Sequence, residues 1–392
     1  MSSSTMRRVY LDHAATTPLD PQVFEAMVPY WKEHFGNASS VHALGRKARF
    51  AVEESRERMA ALLGAEPSEI IFTSGGTESD NAALKGMLAG SRTHLITSAA
   101  EHEAIVNPAE QMHAAGRPVT LLTPEPTGAV APEQVEAAMT AETGLVSLMH
   151  ANNEVGTLTP LSAIAEVCRA HSVPLHTDAV QTAGLFALKV DELGVDLLSL
   201  SAHKFYGPKG IGALYVRSGL DFTPLVEGGA QERRRRGGTE NVAAIVGMVT
   251  ALEQAVNEAE ARTGHLQYLK QRLVTSLRAA LEDSFVFNTP IETDARVAPH
   301  IVNISFPPQE GEPLDGEMLL LNLDMEGVLA SAGSACTSGA LEPSHVLLAL
   351  GRDRATAAAA VRFSLGKVNT EDDVVFAVEK LTRIVRRMRG GI

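Results

Sequence analysis

Between residues 69 and 201, short runs of branched apolar residues alternate with helical patterns, and this alternation leaves few architectures open. The runs are EIIFT (69–73), HLIT (94–97), LVSLMH (145–150), VPLHT (173–177) and DLLSLS (196–201). In the intervening PLSAIAEVCRAHS, Leu161, Ile164, Ala165 and Cys168 fall on one face at helical spacing, with Pro160 near the first turn. Strands separated by helices need crossover connections, which give a mostly parallel sheet covered by helices on both faces. The expected fold class is therefore α/β, with ligands gathered at the carboxyl ends of the strands.

A single core stops growing at roughly 250–300 residues, so a chain of 392 residues implies two lobes. The character of the sequence changes after about residue 260. There, ARTGHLQYLKQRLVTSLRAALED reads as a long helix, and FVFNTP and HIVNISFP read as strands of a smaller α+β unit. We expect a large α/β domain over 19–259 and a small α+β domain made of 1–18 with 260–392.

Two cysteines, Cys168 and Cys336, cannot staple a chain of this length and fit a reducing compartment, the cytoplasm by default. The opening MSSSTMRRVYLDHAATTP has no apolar run after its arginines, and no later stretch approaches the roughly 20 apolar residues that span a bilayer. No signal peptide or membrane anchor is expected. A net charge of −13 argues against nucleic acid or an anionic membrane as partner, so the substrate is expected to be small. The basic run RRRR (233–236) reads as a solvated or interface loop. HTD (176–178) has no second ligand cluster to complete a structural metal site, and none is expected.

The strand ends carry the chemistry. After EIIFT, SGGTESDNAALKG turns at Gly75 and Gly76 into a helix starting at Thr77, where exposed N–H groups would hold a phosphate or simply cap the helix. After HLIT comes His102, and after LVSLMH comes ANNEVG, whose amides orient a ligand or close a turn. VPLHTDAVQTAG then delivers Asp178 and Gln181, and an acid following an apolar strand is costly unless something positive meets it. DLLSLSAHKFYGPKGIG delivers Ser201, His203 and Lys204 directly after a buried strand, whereas a structural lysine normally lies on a solvated helix face. A lysine, an aspartate and a phosphate-cradling turn at neighbouring strand ends are the parts pyridoxal phosphate requires: an amine for the Schiff base, a carboxylate for the pyridine nitrogen, and a grip on the phosphate.

Taken in order, YLDHAATTP (10–18), GNASSVHALG (36–45), FTSGGTESDN (72–81), EHEAI (101–105), ANNEVG (151–156), HTDAVQTAG (176–184), SLSAHKFYGPKGIGALYV (199–216), GGAQERRRRGGTENV (228–242), SAGSACTSG (331–339) and VRFSLG (361–366) resemble the cysteine desulfurases of the NifS/IscS type. These are class V aminotransferase-like, fold-type I pyridoxal phosphate enzymes. The resemblance implies that Lys204 is the Schiff-base lysine, that Asp178 pairs with the pyridine nitrogen and that Gln181 bonds the ring hydroxyl. It makes His102 a ring-stacking group active in proton transfer, and Gly76, Thr77, Ser201 and His203 phosphate contacts. Thr239 would reach the phosphate in the other subunit of a homodimer. Asn153 would lie near cofactor and substrate, Asn37 near the substrate, and Arg362 would clamp the substrate carboxylate, a task suited to a bidentate guanidinium. GNASS departs from the commoner Gly-Asn-Pro form, which loosens that turn while keeping Asn37. No role is assigned to His13.

By the same resemblance Cys336 is the nucleophile. Its thiolate would attack the sulfur of L-cysteine, giving L-alanine and an enzyme persulfide, and its small neighbours Gly333 and Gly339 favour a loop that swings toward an acceptor. The acceptor would be a protein such as an iron–sulfur scaffold; tRNA thiolation and nitrogenase maturation remain open. Cys336 as a transient iron–sulfur ligand is the one metal role left. Cys168, on an apolar helix face, behaves as a small hydrophobe. Selenocysteine lyase or simple transamination is the alternative within the same cofactor chemistry, although a transaminase has no use for Cys336. A non-catalytic scaffold is hard to reconcile with Lys204, Asp178, His102 and Cys336 all being present.

Overall fold

The computed structural model describes residues 7–333 and 342–390. The chain opens with strand β1 (Val9–Tyr10) and then builds a seven-stranded sheet from β2 (Ile70–Thr73), β3 (His94–Ser98), β4 (Val119–Leu122), β5 (Thr143–Ser147), β6 (Leu175–Asp178), β7 (Leu197–Ser201) and β8 (Gly212–Val216). The order across the sheet is β2-β8-β7-β6-β5-β3-β4, and only β8 runs antiparallel to its neighbours. The fold is thus the mostly parallel α/β arrangement expected from the alternation of strands and helices.

Two strands were not among the five runs read from the sequence. β4 is a sheet edge with Leu121 exposed, so it lacks the continuous apolar run of a strand buried on both faces. β8 follows the glycine turn of GPKGIG so closely that the punctuation hides the strand.

Successive strand residues point to opposite faces, and both faces are apolar. Ile70, Phe72, Ile96, Val146, Leu198 and Leu200 pack in one core, against the helices Pro21–Lys32, Ala43–Leu63, Leu161–Ala170 and Val242–Asn257. Ile71, Leu95, Leu145, Leu197 and Leu214 pack in another, against Gly76–Met87 and Glu103–Ala114. The predicted face of Leu161, Ile164, Ala165 and Cys168 is buried in the first of these cores.

A separate core joins Val9 and Leu11 to Leu266, Leu269, Leu273 and Leu277 of the helix Ala259–Leu281, and to Val374, Val378 and Leu381 of the helix Glu371–Met388. Its strands are β9 (Val286–Phe287), β10 (Ile301–Ser305), β11 (Val328–Leu329) and β12 (Ala360–Ser364). β12, β10 and β9 form an antiparallel sheet, and β11 pairs in parallel with β1. That pairing ties the N-terminal segment to the C-terminal part of the chain. Among the described residues no helix is long and apolar enough to cross a membrane.

Candidate active site

A cleft of about 520 Å³ opens where the parallel strands end. Parallel strands present all their carboxyl termini along one edge, so residues far apart in sequence converge there. The turn after β2 contributes Gly76 and Thr77, the turn after β3 His102, the segment after β5 Asn153, the end of β6 Asp178 and Gln181, and the end of β7 Ser201, His203 and Lys204. Arg362 reaches the same cleft from β12.

Lys204 ends a one-turn 3-10 helix and points its amine back at the N-terminal segment, where Nζ donates to the carbonyls of Ala14 and, at 2.9 Å, Ala15. Burial, helped by the Arg362 charge, pushes its pKa down to about 8, against the opposite pull of Asp178 and Asp12. Asp178 is buried at the end of β6 and accepts from the Val180 N–H at 2.8 Å. Burial raises its pKa, and His102 and Lys204 offset part of that rise.

His102 caps the helix Glu103–Ala114, its Nδ1 accepting from the Ala104 N–H at 3.0 Å. The ring is open to the cleft but hemmed in by protein, and desolvation lowers its pKa while Asp178 pulls it up. His203 lies 3.1 Å through Nδ1 from the Thr16 hydroxyl, and burial pushes it down to about 4. Gln181 donates through Nε2 to the Ala14 carbonyl at 2.9 Å and accepts from His300 Nε2 at 3.3 Å.

Arg362 is not on the surface. Its Nη1 donates to the Asn153 carbonyl at 2.7 Å, and its Nη2 donates to Asp12 at 3.0 Å and to the Ser331 hydroxyl at 2.9 Å. Arg362 Nε and Asn153 Oδ1 are buried with no partner among the described residues.

Two expected residues are not brought to this cleft within the chain. Asn37 is exposed, and its side chain accepts from the Ser39 N–H at 2.8 Å to close a turn. Thr239 is exposed too and lies away from the cleft wall. Cys336 lies outside the described residues. The four arginines at 233–236 are largely occupied. Arg233 donates to the Pro67 carbonyl, Arg235 to the Ser68 carbonyl, and Arg236 pairs with Glu78 at 2.9 Å.

Sequence reasoning passed over Asp12, Asp80, Glu101, Glu154 and His345. Asp12, Asp80, Glu154 and His345 line the cleft, and Glu101 is buried beside it. Burial first, and then the neighbouring Asp178, raises the pKa of Asp80 well above the carboxylate range. Glu101 is likewise raised by burial, although the Met149 N–H donates to it at 2.9 Å. The available signal was that Asp12, Asp80 and Glu154 all fall inside the quoted motifs, as acids beside apolar or small residues.

The residues present fit pyridoxal phosphate: an amine, a buried carboxylate, an imidazole, N–H groups at a glycine turn, and buried polar atoms still lacking partners. The turn is held closely, since a Cβ on Gly212 of β8 would lie 2.6 Å from Gly75 Cα.

A family model described as aminotransferase class-V matches residues 9–376. A protein described as cysteine desulfurase IscS from Dictyoglomus turgidum is 46% identical over 386 residues, covering 98% of this chain and 96% of that protein. Among solved structures, a NifS-like protein superposes with a TM-score of 0.88 at 37% identity, covering 97% of this chain and 100% of that one. SspA, solved in complex with cysteine, superposes with a TM-score of 0.79 at 37% identity, covering 93% of this chain and 100% of its own.

Proposed function

We propose, from the premise that this chain belongs to the class-V aminotransferase family and is a cysteine desulfurase, that pyridoxal phosphate occupies the cleft and that Cys336 receives the sulfur of L-cysteine as a persulfide. The observation carrying this reading is the convergence of Lys204, Asp178 and His102 at adjacent strand ends. Lys204 would hold the cofactor aldehyde, Asp178 its ring nitrogen and Gln181 its hydroxyl. Gly76, Thr77, Ser201 and His203 would hold the phosphate. When bound, the cofactor supplies an electron sink for bonds breaking in the substrate.

The chain's own groups do the rest. Arg362, with Nε unpartnered, would orient the substrate carboxylate, and Asn153 would bound the same space. Neutral His102 presents Nε2–H, because Nδ1 is already occupied by the Ala104 N–H, so it enters as a proton donor. The Cys336 thiolate would form an S–S bond to the substrate sulfur as the C–S bond breaks. The electron pair goes to carbon, and a proton completes alanine.

The division into a 19–259 domain and a second domain of 1–18 with 260–392 is supported by their separate apolar cores. A homodimer in which Thr239 serves the other copy is supported by Thr239 being exposed and by the exposed Phe24, Trp31, Phe35, Val41 and Phe50 near Asn37 in sequence. A sulfur-acceptor protein such as an iron–sulfur scaffold, in the cytoplasm, completes the reading. Its test is incubation with L-cysteine and a reductant, measuring alanine and sulfide. The wild type forms both, and Cys336→Ala forms neither above background. Equal sulfide release from the two would remove Cys336 as nucleophile.

A further inference from the structure

The cleft holds an imidazole that the scheme above leaves idle. His345 begins the short helix His345–Ala349, directly after its N-cap Ser344, and lines the same cleft as His102, Lys204 and Arg362. Its Nε2 lies 2.9 Å from the Glu101 carbonyl oxygen. A carbonyl can only accept, so Nε2 carries the proton, and in the neutral ring Nδ1 keeps the lone pair. His102 is the reverse, with Nδ1 occupied and the proton on Nε2. His102 and His345 therefore have complementary tautomers: one offers a proton, the other a base.

Glu154 Oε2 accepts from the Ser344 hydroxyl at 2.6 Å, which fixes that carboxyl beside the residue next to His345. The titratable and charged groups around this corner are Glu154, Glu103, His102 and Arg362; burial raises the Glu154 pKa, and the Ser344 hydroxyl and the Arg362 charge offset part of that rise. The Glu101 carbonyl strengthens its hold on Nε2–H as the ring becomes an imidazolium.

We propose that His345 Nδ1 is a catalytic proton acceptor for the incoming amino acid. The substrate arrives as an ammonium, whose nitrogen has no lone pair with which to act as a nucleophile. One N–H bond breaks, its proton forms Nδ1–H on His345, and the electron pair left on nitrogen becomes the nucleophile. This rests on the reading that the cleft takes L-cysteine.

Two variants separate a base from a hydrogen-bond post. His345→Gln keeps an N–H that can donate to the Glu101 carbonyl but has no basic nitrogen, and His345→Ala removes both. With cofactor loading and thermal midpoint at wild-type values, both variants are expected to lose on the order of 100-fold in kcat/KM for L-cysteine. Both also lose the limb on which the rate rises with pH, and added imidazole restores part of the activity of His345→Ala. Wild-type rate and pH profile in His345→Gln overturn the proposal, as does a loss that only tracks reduced cofactor occupancy. Independently of turnover, spectra of 15N-histidine-labelled protein, with His345→Gln identifying the signal, show His345 protonated at Nε2. The opposite tautomer overturns the proposal while leaving the desulfurase reading intact. A wild type that forms no alanine overturns both.

Discussion

The Arg362 guanidinium lies 3.0 Å from the Asp12 carboxylate, an ion pair closed across 350 positions of sequence and set into the cleft wall. Asp12 and Ser331 take Nη2 and the Asn153 carbonyl takes Nη1, while Nε has no partner among the described residues. A lysine at this position would meet Asp12 with a compact ammonium but lacks the planar fork that holds Asp12, Ser331 and the Asn153 carbonyl while keeping Nε–H aimed in a further fixed direction. Arg362→Lys is therefore expected to raise KM for L-cysteine by about 10- to 100-fold, the loss of one hydrogen bond to a charged group, with kcat changed far less. Steady-state kinetics of alanine formation check this. A KM equal to wild type would remove Arg362 from substrate binding.

Lys204 sets a second expectation. An amine must be neutral to attack an aldehyde, and a group with a pKa of about 8 is about one-tenth neutral at pH 7, where one at 10.5 would be neutral in fewer than about one molecule in a thousand. Pyridoxal phosphate should load onto the apoprotein at a rate that rises with pH through about 8 and then levels off, as followed by stopped-flow absorbance. A rate still climbing toward 10.5 would show that burial does not depress this amine. The stability effect has a definite sign. Between about 8 and 10.5 the unfolded lysine holds a proton that the folded one has lost, so apoprotein stability gains with pH across that window, and below about 8 the penalty for burying the charge is complete.

Gly212 lies on β8, opposite the turn that would grip the phosphate. A Cβ there would come within 2.6 Å of both Gly75 Cα and the Leu200 carbonyl oxygen, and neither is the free end of a flexible side chain. Gly212→Ala must displace the turn carrying Gly76 and Thr77. The expected outcome is a weakening of pyridoxal phosphate binding by at least about 10-fold, measured by titration of the apoprotein, since misplacing a phosphate by a fraction of an ångström forfeits more than one charge-assisted hydrogen bond. Unchanged affinity would mean that the phosphate is held elsewhere.

Much of the cleft was legible because strand ends in a parallel sheet are one place in space. His102, Asp178 and Lys204 could be placed together from the sequence alone, since each follows a buried strand and each is a residue that such a place tolerates poorly without a partner. What could not be read is which remote segments close over that edge. Nothing local to Asp12 announces Arg362, and nothing in PSHVLLAL says that His345 will meet the carbonyl of Glu101. Lys270 is another case. It occupies a helix of ordinary amphipathic pattern yet is buried, donates to the Ala298 carbonyl at 2.8 Å and is pushed down to about 8. Asn37 and Thr239 show the converse, since a motif match places them in a site that the single chain does not deliver them to.

The basic run at 233–236 gives the last prediction. Glu232, Arg233 and Arg234 all have positive φ, at 45°, 55° and 64°, a conformation that non-glycine residues hold only when their surroundings impose it. The constraint is Glu232, which accepts from Arg56 Nη1 at 2.7 Å, from Arg56 Nη2 at 2.9 Å and from the Phe72 N–H at 3.0 Å, with both side chains almost fully buried. Glu232→Ala leaves the Arg56 charge buried without its main partner and frees the strained segment, so it should cost about 3–5 kcal/mol in urea unfolding. The pair Arg58–Glu253 is a control on the same helix, because both of its side chains are about one-third exposed and water screens their attraction. Glu253→Ala should cost less than about 1 kcal/mol. Equal losses from the two variants would mean that burial does not set the strength of these pairs. Arg236, just beyond the strained residues, pairs with Glu78 in the first turn of the helix that begins at Gly76, so Glu232→Ala should also weaken pyridoxal phosphate binding, whereas Glu253→Ala leaves it unchanged.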